Sequence, residues 1–402
     1  MLNLKELLQS ERLIIMCCQE YPISPEICYW GGMGTVVKNV SERLVHKGFE
    51  VLVTPRPIRE YAGDNAIFLE KNGVHVFSPV TKSFQAGEEN LDLYLTYPVS
   101  EGTRALDHSF TVWKQLEENK PLQAVIHGHD WFSVADIREA SKLKLKTVFT
   151  VHMSVDRNGN TDDKRIELER VAGSHADVVH YVSLAQQKSC CANNWVGKRQ
   201  VTISNGVDVT KFVPNKNSQT EDYVLFVGRL TPEKNVPILV KAWRQFNQKF
   251  PEVKLKIIGL PGICNTDVMQ EIQKLPEALR QKVELRLEMI SEQERIAYYQ
   301  NASVSCFPSS KEAFGIVAVE AQACGVPAVV GAVGGFWENT IEGITGVHVD
   351  GTDPTSIAQG LELAYLNRKD WGRNARNFVQ QFFNWDTIVE KYIEELYTPL
   401  LK

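Results

Sequence analysis

Val304–Gly325 reads VSCFPSSKEAFGIVAVEAQACG. Its first four residues are a short apolar run, as expected of a strand buried on both faces of a parallel sheet. Pro308 opens a loop, and a helix starts near Gly315. Strand, loop and helix in this order are the building unit of α/β domains. The same unit recurs in both directions. Upstream the strand-like runs are Leu13–Cys18, Val51–Thr54, Ala124–Ile126, Thr147–Val151, Val178–Val182, Val201–Ile203, Val224–Val227, Leu255–Ile258 and Val283–Leu287; downstream they are Ala328–Val330 and Val347–Val349. Helical stripes fill the gaps. Val36, Val37, Val40 and Leu44 precede a capping Gly48, and Leu239, Trp243, Phe246 and Phe250 follow Pro237. Ser291 with Glu294 forms a capping-box pattern, and Asp353 with Pro354 suits a helix start.

About twelve strands exceed one simple doubly wound sheet, so two Rossmann-like domains are expected. The polar seam PNKNSQTED (Pro214–Asp222) separates residues 1–213 from 214–380. Beyond Trp371 the pattern is helical, and Trp385–Leu400 reads as a terminal helix. The length of 402 residues agrees with two or three domains at ~150 residues each. Hydrophobic residues at 43% and charged residues at 23% exclude a disordered, collagen-like or coiled-coil chain. Lys plus Arg is 44 against 49 Asp plus Glu, a net charge of -5, which argues against nucleic-acid binding. The eight cysteines form no Cys-x-x-Cys pair, so neither a disulfide scaffold nor a zinc site is expected. Met1–Ser10 is not a signal peptide, and the uncharged run Ala321–Trp337 is broken by glycines, so the cytoplasm is the default compartment. Arg138–Lys146 is basic but reads as a solvated helix end, so no membrane association is expected.

Ligands of open parallel sheets bind at the carboxyl ends of strands. After Phe307 the helix starting near Gly315 offers free N–H groups and a dipole that favour a phosphate. Gly315 lets a ligand approach the backbone. Glu312 could accept hydrogen bonds from a sugar, and Glu320 lies five residues beyond Gly315, about 7 Å along the axis at ~1.5 Å per residue, the span from phosphate to ribose. The plainer reading makes Glu312 a helix cap and Glu320 a surface residue. In VGRLTPEKN (Val227–Asn235), Arg229 and Lys234 follow a strand and could neutralise a diphosphate, or be ordinary loop cations. In YWGGMGT (Tyr29–Thr35), Gly31, Gly32 and Gly34 allow a tight turn with exposed N–H groups, but Val37 stands where a dinucleotide fingerprint needs its third glycine. His129 and Asp130 in HGHDW, and His152 in TVH, end two strands where they could serve as hydrogen-bond partners or proton carriers, or be satisfied structural residues.

Taken together these strings resemble retaining glycosyltransferases of family four, which have the GT-B fold: two Rossmann-like domains facing across a cleft. Glu312, Phe314, Gly315, Glu320, Ala321, Cys324, Gly325 and Pro327 match their E-x7-E signature. The resemblance implies that Glu312 contacts the donor sugar and Glu320 the ribose, with Phe314, Gly315 and Ile316 also at the donor. Gly228, Arg229, Leu230, Lys234 and Asn235 match the G-R-L-x-x-x-K-N segment that binds the donor diphosphate. Gly31, Gly32 and Gly34 resemble the loop that reaches the donor phosphate. HGHDW is similar to a landmark of glycogen synthases, and His152 matches the histidine near the donor sugar. Glu20 and Pro22 loosely resemble a starch and glycogen synthase segment, which implies an acceptor role for Glu20, His129 and Asp130. ADVVHYVS (Ala176–Ser183) and SNGVDVTKF (Ser204–Phe212) fit the same family.

The resemblance implies a hexosyltransferase using a nucleotide-diphosphate sugar as co-substrate and a carbohydrate or other hydroxyl acceptor, with no cofactor and no metal. Donor binding falls to residues 214–380. Acceptor binding falls to residues 1–213, onto which the tail 381–402 packs. His152, Glu312, Arg229 and Lys234 are the catalytic candidates. Cys18–Trp30 and Pro55–Asn90 are the candidate acceptor loops. HGHDW and Glu20 also fit a glucan synthase using ADP- or UDP-glucose, whereas Tyr29 and Glu320 do not. A phosphorylase with pyridoxal phosphate and a non-catalytic sugar-nucleotide-binding partner are the remaining readings. Base, sugar, acceptor and oligomeric state stay open at this point.

Overall fold

The computed structural model describes residues 4–18, 21, 31–55, 67–78, 123–152, 164–193, 195–215 and 222–402. Glu20, Pro22 and Tyr29 lie outside them, as do most of the two candidate acceptor loops. Contacts divide the chain into two units, Met1–Ser204 with Asp386–Lys402, and Asn205–Trp385.

In the first unit the strands are β1 (Leu13–Cys18), β2 (Glu50–Pro55), β3 (Ile67–Lys71), β4 (Val74–Ser78), β5 (Ala124–His129), β6 (Lys146–Val151), β7 (Val178–Tyr181) and β8 (Arg199–Thr202). Among the described residues they form one sheet in the order β3-β4-β2-β1-β5-β6-β7-β8. Every residue of β1 is buried, and the strand pairs in parallel with β2 on one side and β5 on the other. An uninterrupted apolar run is the sequence form of such a doubly covered strand. Strand order reverses between β1 and β5, the switch point at which α/β sheets place ligands.

One hairpin, β3 to β4, corrects the loop expected across Pro55–Asn90. The two strands pair antiparallel around Asn72 and Gly73, whose φ values are 53° and 77°. Two left-handed residues in succession make the tight turn that Asn-Gly favours, and its twist matches that of the flanking strands.

In the second unit the strands are β9 (Tyr223–Val227), β10 (Lys254–Gly259), β11 (Val283–Leu287), β12 (Val304–Phe307), β13 (Ala328–Gly331) and β14 (Gly346–Val349). Among the described residues every pairing in this sheet is parallel, in the order β11-β10-β9-β12-β13-β14. The switch point falls between β9 and β12, so the loops that follow those two strands meet there. The helix caps have the expected chemistry: Ser291 and Glu294 close a full capping box, and Asp353 accepts from the Thr355 and Ser356 amides.

The units divide at Ser204/Asn205, ahead of the polar seam. The intervening residues pack within the second unit. Val207 bridges Asn384, Gly206 lies against Trp385, and Arg376 donates to the Val209 and Phe212 carbonyls. Among the described residues no helix is long and apolar enough to cross a membrane.

Candidate active site

The second unit builds its site from two loops zipped together. After β9, Gly228 carries φ 157°, and its N–H bonds the Ile258 carbonyl at 3.0 Å. Arg229 follows directly. The chain then makes a short turn, Pro232–Lys234, and Asn235 is left-handed at φ 54°. Its side-chain amide donates to the Pro308 carbonyl at 2.9 Å, and the Ser310 N–H donates to the Glu233 carbonyl at 2.8 Å. These bonds tie the β9 loop to the β12 loop and bring Lys234 Nζ to 2.7 Å from Glu312 Oε2. The pair is only partly buried, with side-chain exposures of 20% and 15%. Such a pair stays within reach of solvent and ligand.

Gly315 ends the loop at φ 85° and is the cap position of the Ile316–Ala323 helix. Glu312 is therefore not the helix cap; it faces Lys234. A Cβ on Gly315 would lie 2.3 Å from Phe336 Cε1, so only glycine fits. Further backbone approaches surround the loop. A Cβ at Gly334 would meet the Glu312 carbonyl at 1.7 Å, and one at Gly335 would meet Phe314 Cα at 2.5 Å. Phe314 itself is buried, its ring centroid 5.7 Å from that of Phe383, so its side chain anchors the loop from behind. Asn339 holds the same turn by donating to the Phe314 carbonyl. Ile316, partly buried, occupies the first helical position.

Glu320 is not the surface residue of the plainer reading. It is 2% exposed. Tyr299 Oη donates to its Oε2 at 3.0 Å, and Arg295 Nη2 stands 3.2 Å from its Oε1. Burial pushes this carboxyl above its ordinary range, and the Arg295 guanidinium opposes the shift. Arg295 and Tyr299 were not legible as site residues. Their only sequence signal is a spacing of four on one helix, which places both toward the same neighbour.

The first unit gathers histidines at the ends of β5, β6 and β7. His129 Nδ1 lies 2.8 Å from His152 Nε2, and the two rings are nearly parallel. Asp130 Oδ1 accepts the His152 N–H at 2.6 Å, while the Asp130 N–H donates to the Thr150 carbonyl at 2.9 Å. Asp130 has φ 55° and ψ -178°, a region costly for any residue but glycine, and those two bonds hold it there. Backbone strain of this kind concentrates at functional sites. Burial keeps His129 and His152 neutral: His129 is pushed well below its ordinary value and His152 to about 3.

The glycine-rich loop expected at Gly31–Gly34 takes another form. Gly31 is the cap of the Gly32–His46 helix, so Gly32 and Gly34 lie in its first turn. The Thr35 N–H bonds the Gly31 carbonyl at 3.2 Å and fixes that turn. The N–H groups the sequence offered from a loop are thus those of a helix start, which also favours anions.

Comparison with known proteins agrees along most of the chain. Residues 208–378 match the family model described as "Glycosyl transferases group 1", and residues 30–211 match that of "Glycosyltransferase Family 4". A D-inositol 3-phosphate glycosyltransferase of Geodermatophilus obscurus is 27% identical over 90% of this chain and 84% of its own. An uncharacterized glycosyltransferase of Methanocaldococcus jannaschii is 26% identical over 94% of this chain and 96% of its own. Among solved structures, sucrose-phosphate synthase of Thermosynechococcus elongatus superposes with a TM-score of 0.76 at 24% identity, covering 97% of this chain and 99% of its own. The catalytic domain of starch synthase IV of Arabidopsis thaliana gives 0.74 at 17% identity, covering 98% and 100%. With one family model on each half and this fold along its length, the chain is a GT-B glycosyltransferase of the family-four type.

Proposed function

We propose that the protein is a retaining hexosyltransferase that moves a sugar from a nucleotide-diphosphate sugar to an acceptor hydroxyl, without a metal. The observation that carries the reading is the Lys234–Glu312 pair at 2.7 Å beside the helix start at Gly315. A diphosphate leaving group gains negative charge as the glycosidic bond breaks. Lys234, Arg229 and the free N–H groups after Gly315 supply fixed positive potential there. Glu312 binds the sugar that leaves the diphosphate. Glu320 retains acceptor capacity beyond its two protein contacts, since a carboxylate offers about four lone-pair sites, and it takes the ribose. Ile316 and Gly315 present backbone to the phosphates. In the first unit, Gly31, Gly32 and Gly34 lie at a helix start that also favours an anion.

Departure and attack take place on the same face of the sugar, and the leaving phosphate oxygen receives the acceptor's proton. His152 binds the transferring sugar; His129, Asp130 and Glu20 belong to the acceptor. The names of the curated relatives make phosphorylated polyols the first acceptors to try.

The test is a thermal-shift screen with UDP-, ADP-, GDP- and dTDP-sugars, followed by acceptor trials with the stabilising donor. Ligand binding to the native state raises the melting temperature by mass action. A rise with one nucleotide, and a product whose anomeric NMR coupling matches that of the donor, is the expected result. Inverted configuration would overturn the same-face step. Loss of activity in excess chelator would overturn metal independence. Stabilisation by ADP-glucose with extension of an α-glucan would favour the glucan synthase, which HGHDW also fits.

A further inference from the structure

Beneath the strand ends of the first unit lies a hydrogen-bonded chain whose direction can be worked out from one end. His180 Nε2 is 2.9 Å from the Ile203 carbonyl, which can only accept, so that nitrogen carries the hydrogen. His180 is buried and neutral, pushed to about 3 by burial, so its Nδ1 accepts. The donor is Thr150 Oγ1 at 2.8 Å. Having given its single hydrogen to His180, Thr150 Oγ1 accepts from His127 Nε2 at 2.6 Å. Burial also keeps His127 neutral, so its Nδ1 accepts in turn, from Tyr397 Oη at 2.8 Å. Every polarity in the chain is fixed, and its head is a tyrosine of the C-terminal tail.

The tail is shaped for this contact. Tyr392–Tyr397 is a π-helical turn. In an α-helix, residues five apart point about 140° away from each other, whereas i→i+5 bonding brings them onto one face. Tyr392 and Tyr397, with ring centroids 6.3 Å apart, therefore both meet the histidines: Tyr392 edge-on to His180 at 4.9 Å, and Tyr397 edge-on to His127 at 5.8 Å. Such turns are rare and often found at functional sites. Arg43 with Asp386, Lys47 with Glu390, and Arg199 with the Glu395 carbonyl tie the tail to the same unit. The His127 ring lies against the His129 ring, with centroids 4.3 Å apart at 22°, and His129 bonds His152.

We propose that Tyr397 is a positioning residue for sugar transfer: by donating to His127 Nδ1 it holds the His127 ring in place, and that ring supports the His129–His152 pair stacked upon it. The inference rests on the transferase reading above. Tyr397 touches no reacting atom; it acts through His127.

The test compares Tyr397→Phe with Tyr392→Phe in the full chain. Both remove one buried hydroxyl from the same turn. Among the described residues Tyr392 Oη has no hydrogen-bond partner, so its loss controls for packing. Tyr397→Phe should lower kcat about tenfold, the kinetic equivalent of ~1.4 kcal/mol, with donor affinity unchanged. In protein labelled with 15N-histidine, the His127 Nδ1 resonance should move toward that of an acceptor without a donor. Tyr392→Phe should change neither. A Tyr397→Phe enzyme within twofold of wild-type kcat, or equal damage from both substitutions, would overturn the proposal. If Tyr397→Phe does not fold, the wild-type spectrum still decides: a hydrogen on His127 Nδ1 overturns it, and a hydrogen on Nε2 with a bonded Nδ1 supports it. A wild-type protein that binds donor but transfers nothing would overturn the function itself, and the positioning role with it, whatever the spectra show.

Discussion

Replacing Gly315 by alanine tests the loop where it turns into the Ile316–Ala323 helix. Two costs add. An L-residue at φ 85° is strained, by ~1–2 kcal/mol in the left-handed region. The new Cβ would also lie 2.3 Å from Cε1, 2.7 Å from Cδ1 and 3.1 Å from Cζ of Phe336. That ring is fully buried and cannot swing away, so overpacking adds ~1–3 kcal/mol. Gly343 provides the control. Its φ is 69°, yet a Cβ there meets nothing within 4 Å, so Gly343→Ala carries only the backbone cost. At ~2–4 °C per kcal/mol for a domain of this size, the combined ~2–5 kcal/mol should lower the melting temperature of Gly315→Ala by about 4–20 °C, and the ~1–2 kcal/mol backbone cost that of Gly343→Ala by about 2–8 °C, with Gly315→Ala the larger of the two. Calorimetry measures both. The same Cβ displaces the start of the Ile316–Ala323 helix, so the donor that stabilises wild type should bind Gly315→Ala at least tenfold more weakly, and Gly343→Ala normally. Equal destabilisation by the two alanines would refute the crowding argument. Undiminished donor affinity in Gly315→Ala would refute the assignment of the diphosphate to this helix start.

Other perturbations give separate readings. Lys234→Ala should lower kcat/KM by roughly 10²–10³, or ~3–4 kcal/mol of transition-state stabilisation, with little effect on stability because the pair is partly solvated; steady-state kinetics and a melting curve separate the two. Arg295→Met should cost about 3 kcal/mol in denaturant unfolding by leaving Glu320 buried opposite no cation, and adding Glu320→Gln should recover part of the loss. Acid should weaken the protein through its histidines. His152 and His180 are held at about 3 against an ordinary 6.5, so below pH 6.5 the unfolded chain binds protons that the folded chain does not. Their stabilisation is complete above that value, falls as pH drops from 6.5 toward 3, at up to ~1.4 kcal/mol per pH unit for each group, and levels off below. Melting temperatures across pH 8 to 4 check the sign; a protein more stable at pH 5 than at pH 7.5 would contradict it.

The parallel strands were legible because burial on both faces leaves a continuous apolar run, and β1 and β9 are such runs. The hairpin at Ile67–Ser78 was missed for the opposite reason. Its first strand is only three apolar residues followed by the charged pair Glu70-Lys71, so no long apolar run marks it, and its signal is the Asn72-Gly73 pair. The unit boundary was displaced because polar composition marks exposure, whereas the boundary follows packing. Val207 and Gly206 lie against Asn384 and Trp385, far along the chain, and nothing local announces that.

The site divides along the same line. Lys234 and Glu312 are far apart in sequence, yet each follows a strand in a recognisable string, and adjacency of those strands brings the side chains together. Glu320 could be named but its surroundings could not, because Arg295 and Tyr299 come from the preceding helix with no more than a four-residue spacing to mark them. Tyr397 shows where local reading ends. It lies 270 residues from His127, on a tail that looks like an ordinary amphipathic end. Its spacing from Tyr392 puts the two rings on different faces if the turn is α-helical and on one face if it is π-helical. Only the packing of the tail against buried histidines selects the second, which sets both rings edge-on to His180 and His127 and gives the Tyr397 hydroxyl an acceptor. The hydrogen-bond requirement of His127 and the helical form of the tail are therefore one constraint, met by one tyrosine.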